Sequence, residues 1–274
     1  MSIDVMPARM TRQELADLSE AVKLLDSHSL ASRLSGLFGR QVSAVGRALP
    51  APARRFAARA TEAALRVALR VAVRSLDKAP RARTANRLHK AAAAASGAIG
   101  GAFGVSALAI ELPISTTILL RSIADIARSE GEDLARPEAS LACIEVFALG
   151  GHQQEDAAIE SGYFGIRAAL AQSVSESARY LAQAGLAAEG APALARLISQ
   201  VGARFGVSVS QKLAAQTMPI IGAVGGAAVN AAFAAHFQSM ARGHFIVRRL
   251  ERAHGAEAVR FEYRRLRNEI LARG

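Results

Sequence analysis

The chain has no tryptophan, only 5% aromatic residues and a single cysteine among 274 residues. One cysteine excludes an internal disulfide and fits a reducing cytoplasm. Cys143 lies in an apolar helical pattern with Leu141, Ile144 and Phe147, so it reads as a small core residue rather than a nucleophile. Alternating segments of strand-forming residues are lacking, and no short-period repeat stands out. Hydrophobic residues make up 51% of the chain, much of it alanine. That composition favours close-packed helices over sheets. The N-terminus lacks the basic-then-apolar pattern of a secretion signal. It reads instead as an amphipathic helix, with Thr11 as cap and Glu14 closing a capping box.

Motifs that bring chemistry are also lacking. There is no H-E-x-x-H, no paired Cys/His set at zinc spacing, no G-x-S-x-G and no Walker A lysine. The run Gly97 to Gly104, GAIGGAFG, is not G-x-G-x-x-G, and no strand precedes it. No cofactor and no metal are expected. His236 and His244 are eight residues apart, too far for a metal pair on one helical turn. His152 with Glu155 and Asp156 reads as a polar helix start rather than a cation site.

What is present is concentrated. The net charge is +11, and Arg54 to Lys90 holds eleven basic residues against Glu62 and Asp77, a net +9. Within it, Arg55, Arg59, Arg66, Arg70 and Arg74 recur every three to eight residues on a helix predicted for Ala53 to Leu76, opposite Phe56, Ala60, Ala63, Val67 and Val71. Such a stripe suits an anionic surface: lipid headgroups, nucleic acid or an acidic protein. Stacking residues for nucleic acid are missing there apart from Phe56, which leaves only non-specific phosphate contact.

Two stretches carry no charge, Ala91 to Ile110 and Leu213 to Ala235. Each has the roughly 20 residues a membrane span needs. Both are too rich in Ala, Gly and polar residues to insert strongly by themselves. They are expected as central helices of a soluble or peripheral bundle. Gly97/Gly101 and Gly100/Gly104 in the first, and Gly222/Gly226 in the second, give small-xxx-small spacings that let backbones approach. Polar groups inside apolar runs need partners. Glu111, Asn230 and His236 are therefore expected to form a buried polar centre, with Glu111 meeting Asn230 or His236. A helix is predicted from Pro113, placed at its first position, to about Glu130, with Gly131 as the stop. Arg121 and Asp125, four apart, are expected to pair on it. Further helices are predicted over Pro137 to Leu149, Gln154 to Ala184, Pro192 to Ala215 and Met240 to Leu271, the last interrupted at Gly255.

The run Glu111-Leu-Pro, Thr116-Thr117, Leu119-Leu-Arg-Ser-Ile123 and Ile126-Ala-Arg-x-x-Gly-x-Asp-Leu134 resembles the signature of EcsC family proteins. Glu145-Val-Phe-Ala-Leu-Gly-Gly151, Gly162-Tyr163-Phe164 and Pro219 to Glu251 are similar to the family as well. The resemblance covers roughly Asn86 to Leu266. It implies a bacterial helical protein, often encoded near transport genes, with no agreed reaction.

The expected fold is therefore all-α, a multi-helix bundle around two central Gly/Ala-rich apolar helices. Residues 1–50 read as an N-terminal helical segment and 51–274 as an EcsC-like helical domain, either separate or one continuous domain. The expected function is a non-enzymatic helical module at the inner face of the cytoplasmic membrane. Its expected partners are an anionic membrane surface or a membrane transport protein. The alternatives are a peptidase-like hydrolase using Glu111 with a histidine, and a non-specific nucleic-acid binder.

Overall fold

A computed structural model of the chain describes residues 10–26, 30–38, 50–75, 108–151, 162–184, 191–216 and 223–273. These residues form only helices: α1 (Arg12–Leu25), α2 (Leu30–Phe38), α3 (Ala51–Ser75), α4 (Leu108–Ser129), α5 (Pro137–Leu149), α6 (Gly162–Ala184), α7 (Pro192–Gln216), α8 (Ala223–His254) and α9 (Ala256–Arg273). The fold is an all-α multi-helix bundle. The stretch 91–107, with Gly97, Gly101 and Gly104, lies outside the described residues, as do Gly222 and the group around His152.

Local chemistry accounts for the helix ends. Thr11 accepts from the Glu14 amide at 3.2 Å while Glu14 accepts from the Thr11 amide at 2.7 Å, so two orphan donors of α1 are satisfied reciprocally. Pro52 and Pro137 sit in the first turns of their helices, where a missing N–H costs nothing. Gly131 and Gly255 have φ of 79° and 84°, the left-handed conformation that glycine adopts without a Cβ penalty.

Three expectations are corrected. Pro113 lies inside α4, not at its first position. The ring removes one backbone donor, and the helix continues around it because flanking packing outweighs the local cost. The uncharged stretch Leu213 to Ala235 is not one rod: its first residues end α7, and Ala223 onward belongs to α8. That helix then runs without interruption from Ala223 to His254, so no break falls near Met240.

Among the described residues, α5 is the helix buried on every side. Every residue from Ala139 to Leu149 is buried, and α5 packs against α3, α4, α6, α7 and α8. A helix apolar all round belongs in the middle of a bundle, and Phe147 there meets Phe205 of α7 and Phe237 of α8 at centroid distances of 4.9 and 5.7 Å. Close approach is bought with glycine. A Cβ on Gly151 would lie 2.1 Å from the Arg204 carbonyl oxygen, and one on Gly150 would lie 2.1 Å from the Phe237 ring. At Gly243 a Cβ would come within 2.7 Å of Leu25, which is how α1 seats against α8. Gly226 is buried in the same helix.

Candidate functional site

The basic stripe occupies one face of α3. Arg55, Arg59, Arg66, Arg70 and Arg74 are all exposed, while Ala57, Ala60, Ala64, Leu65, Ala68, Leu69 and Ala72 are buried on the opposite face. The period of 3.6 residues separates the two sets. Glu62 lies 3.4 Å from Arg66, both half exposed, and such a pair is weak. The C-terminal half of α8 differs. There Arg248 meets Glu132 at 2.8 Å, Arg249 meets Asp17 at 2.6 Å and Glu130 at 2.9 Å, and Arg252 meets Glu132. Those guanidiniums tie α8 to α1 and to the turn after α4.

Two polar centres lie inside the bundle. The first joins α4, α7 and α8. Lys212, fully buried, donates from Nζ to Glu111 Oε1 at 2.6 Å. Asn230 donates from Nδ2 to the same oxygen at 3.2 Å. The ammonium also lies 5.0 Å from the centroid of the Phe233 ring, a cation–π contact in a dry setting. Burial lowers the pKa of Lys212, and the Glu111 charge and hydrogen bond oppose that shift. Asn230 thus meets Glu111, but His236 does not. Six residues separate them on one helix, a rotation of about 120°, so they cannot face the same group. His236 Nε2 instead donates to the Gly150 carbonyl at 2.9 Å, and Ser208 Oγ donates to that same oxygen at 2.9 Å. The end of α5 is thereby capped by two other helices.

The second centre joins α5, α6 and α8. His244, fully buried, shares a 3.0 Å hydrogen bond between Nδ1 and the Tyr163 hydroxyl. Arg167 donates to that hydroxyl at 3.3 Å and forks onto both oxygens of Glu251 at 2.8 and 2.9 Å. In the tautomer that carries its hydrogen on Nε2, the imidazole accepts the Tyr163 proton at Nδ1. That Nε2 makes no hydrogen bond and lies 3.9 Å from Glu145 Oε2. Burial raises the pKa of Glu145 to about 7, against the lowering effect of Arg167 and Arg248. Burial likewise drives His244 well below its ordinary value, helped by the same two arginines. The pair is therefore neutral in mildly acidic solution. Cys143, two residues before Glu145 on α5, is buried, and burial pushes its thiol pKa up; a thiol in that state is a poor nucleophile.

The expected Arg121–Asp125 pair is replaced. Asp125 bonds Arg128 at 2.8 Å, three residues on, and Arg121 is exposed. Both spacings bring side chains together on a helix, and Arg128, at 16% side-chain exposure, offers the less hydrated partner. Lys212, Glu145, Tyr163, Arg167 and His244 escaped sequence reasoning as site residues. Their signal was spacing: Tyr163 and Arg167 are i, i+4, and His244, Arg248 and Glu251 are i, i+4, i+7. Among the described residues, no group of three or more His, Cys, Asp or Glu could hold a metal ion. Among them, no helix is long and apolar enough to cross a membrane.

An all-α bundle with cross-helix polar centres inside and an arginine face outside is the class of protein these features define. The chain belongs to the EcsC protein family, whose model matches residues 20–250. That match runs across residue 50 and takes in both polar centres except Glu251. A search of curated proteins and a search of solved structures find no match.

Proposed function

We propose that the chain is a non-enzymatic helical module that docks on the anionic inner face of the cytoplasmic membrane through α3, in the service of a membrane transport protein. The observation that carries this reading is the face of five exposed arginines, Arg55, Arg59, Arg66, Arg70 and Arg74, backed by a seam that is apolar but for Thr61. Each basic residue near an anionic bilayer adds to binding and is weakened by salt. Helix α4, packed alongside α3, exposes Ile110 and Ile114 at 71% and 51%, apolar groups suited to the headgroup boundary. The competing reading, hydrolysis by Glu111 with a histidine, draws no support from the geometry: Glu111 is bonded by Lys212 and Asn230, and His236 by Gly150.

Co-sedimentation with vesicles of phosphatidylcholine and phosphatidylglycerol tests the proposal. Binding is expected at low salt, with loss at high salt. The variant Arg55→Gln/Arg59→Gln/Arg66→Gln/Arg70→Gln is expected to bind at least about a hundredfold more weakly. Binding that ignores both salt and these substitutions sinks the reading. Tighter retention by duplex DNA than by vesicles moves it to nucleic acid.

A further inference from the structure

Away from the α3 face, an open pocket of about 210 Å³ lies between α6 and α9, lined in part by Arg260, Arg264, Arg267, Phe164, Tyr263 and Asp26. The three arginines are spaced i, i+4, i+7 and so share one side of α9. Arg267 is held by Asp26 at 2.7 Å. The Arg260 guanidinium lies over the Phe164 ring, 5.2 Å from its centroid, which fixes it at the pocket wall. Arg264 is exposed and makes no ion pair among the described residues. Three guanidiniums against one carboxylate leave the pocket with a net charge of +2.

The aromatic floor adds a second observation. Tyr263 is 3% exposed, stacks on Tyr163 at 5.9 Å and meets Phe164 edge to face at 5.1 Å. Its hydroxyl is buried without a hydrogen bond. Burial raises its phenol pKa well above the ordinary value, and the neighbouring Asp26 carboxylate raises it further. The Tyr263 ring gives the cationic pocket an aromatic wall.

We propose that this pocket binds a small phosphate-bearing ligand, with the phosphoryl oxygens on Arg260 and Arg264 and the adjoining organic part against Phe164. The guanidinium fork matches phosphate geometry. A phosphate monoester carries close to two negative charges at neutral pH, which balances the pocket, whereas a carboxylate balances half of it. The volume is below the ~300–1,000 Å³ of a drug-sized site, so the ligand is of headgroup size and not a nucleotide cofactor. Either a soluble phosphate ester or a lipid headgroup supplies that chemistry. The proposal does not depend on membrane docking through α3.

Isothermal titration calorimetry on the full chain, with inorganic phosphate and with glycerol 3-phosphate, is the first arm. Vesicles of phosphatidylcholine carrying phosphatidic acid are the second. Arg264→Gln is expected to weaken binding about tenfold or more. Arg55→Gln/Arg59→Gln/Arg66→Gln is expected to leave glycerol 3-phosphate binding unchanged. Arg264 is exposed, so its variant keeps the fold, which circular dichroism checks. Heat with glycerol 3-phosphate that drops in Arg264→Gln supports a soluble ester. Binding confined to the vesicles, with the same drop, supports a headgroup. No binding of any probe, or binding equal in wild type and Arg264→Gln, overturns the proposal. Vesicle binding lost only in the α3 variant overturns it too, while leaving the docking reading intact.

Discussion

Glu111 and Glu145 lie at the same depth, 7% and 6% exposed, yet their surroundings differ in kind. Glu111 faces an ammonium at 2.6 Å and an amide at 3.2 Å. Glu145 faces a neutral imidazole at 3.9 Å, and the arginines nearest to it are committed elsewhere, Arg167 to Glu251 and Arg248 to Glu132. A buried carboxylate must either be paired with a cation or give up its charge. The first centre takes the former route and the second takes the latter. The difference makes one centre a fixed tie between α4, α7 and α8, and the other a tie whose strength follows proton concentration.

Removing one partner from the first centre gives the largest expected effect. Lys212→Met leaves Glu111 buried without its cation and is expected to lower the unfolding free energy by about 3–5 kcal/mol in urea titrations. The double change Lys212→Met/Glu111→Leu is expected to recover most of that loss, since no charge is then left alone. Equal losses in the single and double variants would break the contrast between the two centres.

The second centre yields an effect that depends on pH. A carboxyl raised from 4.5 to about 7 in the folded state binds more protons folded than unfolded in that window. Stability from this group is therefore fully present below about pH 4.5 and is lost as pH rises through about 7. Glu145→Gln has no proton to lose. Relative to wild type it is expected to gain up to about 3 kcal/mol between pH 4.5 and pH 8. Thermal or urea unfolding across that range reads the difference, and a constant offset would show that Glu145 titrates normally. The smallest effect is expected for Tyr163→Phe, which strips His244 Nδ1 of its hydrogen-bond partner at about 1–2 kcal/mol. A null result there would mean that the imidazole is held by packing alone.

Helical periodicity carried most of the fold. The helices from Pro137 and Pro192, the stops at Gly131 and Gly255 and the α3 face follow from proline, glycine and period alone. Glu111 and Asn230 were legible because a polar group in an apolar run needs a partner. Lys212 was missed because a lysine reads as the edge of an uncharged stretch, whereas Val201, Phe205, Ser208 and Val209 place it on the buried face of α7. Glu145 was missed as a site residue although it is the only ionisable carboxylate within the wholly buried part of α5. Which distant helix a side chain meets depends on how helices cross, and periodicity within one helix does not contain that. The failure to foresee His236 bonding Gly150 has the same origin.

The Gly150 oxygen, shared by Ser208 and His236, has a mechanical consequence. A slip of α7 or α8 by one residue would swing its hydroxyl or imidazole through about 100° and strand the acceptor at the tip of α5. Three helices are thus phased against one atom. Amide protons at this corner should exchange only when the whole molecule opens.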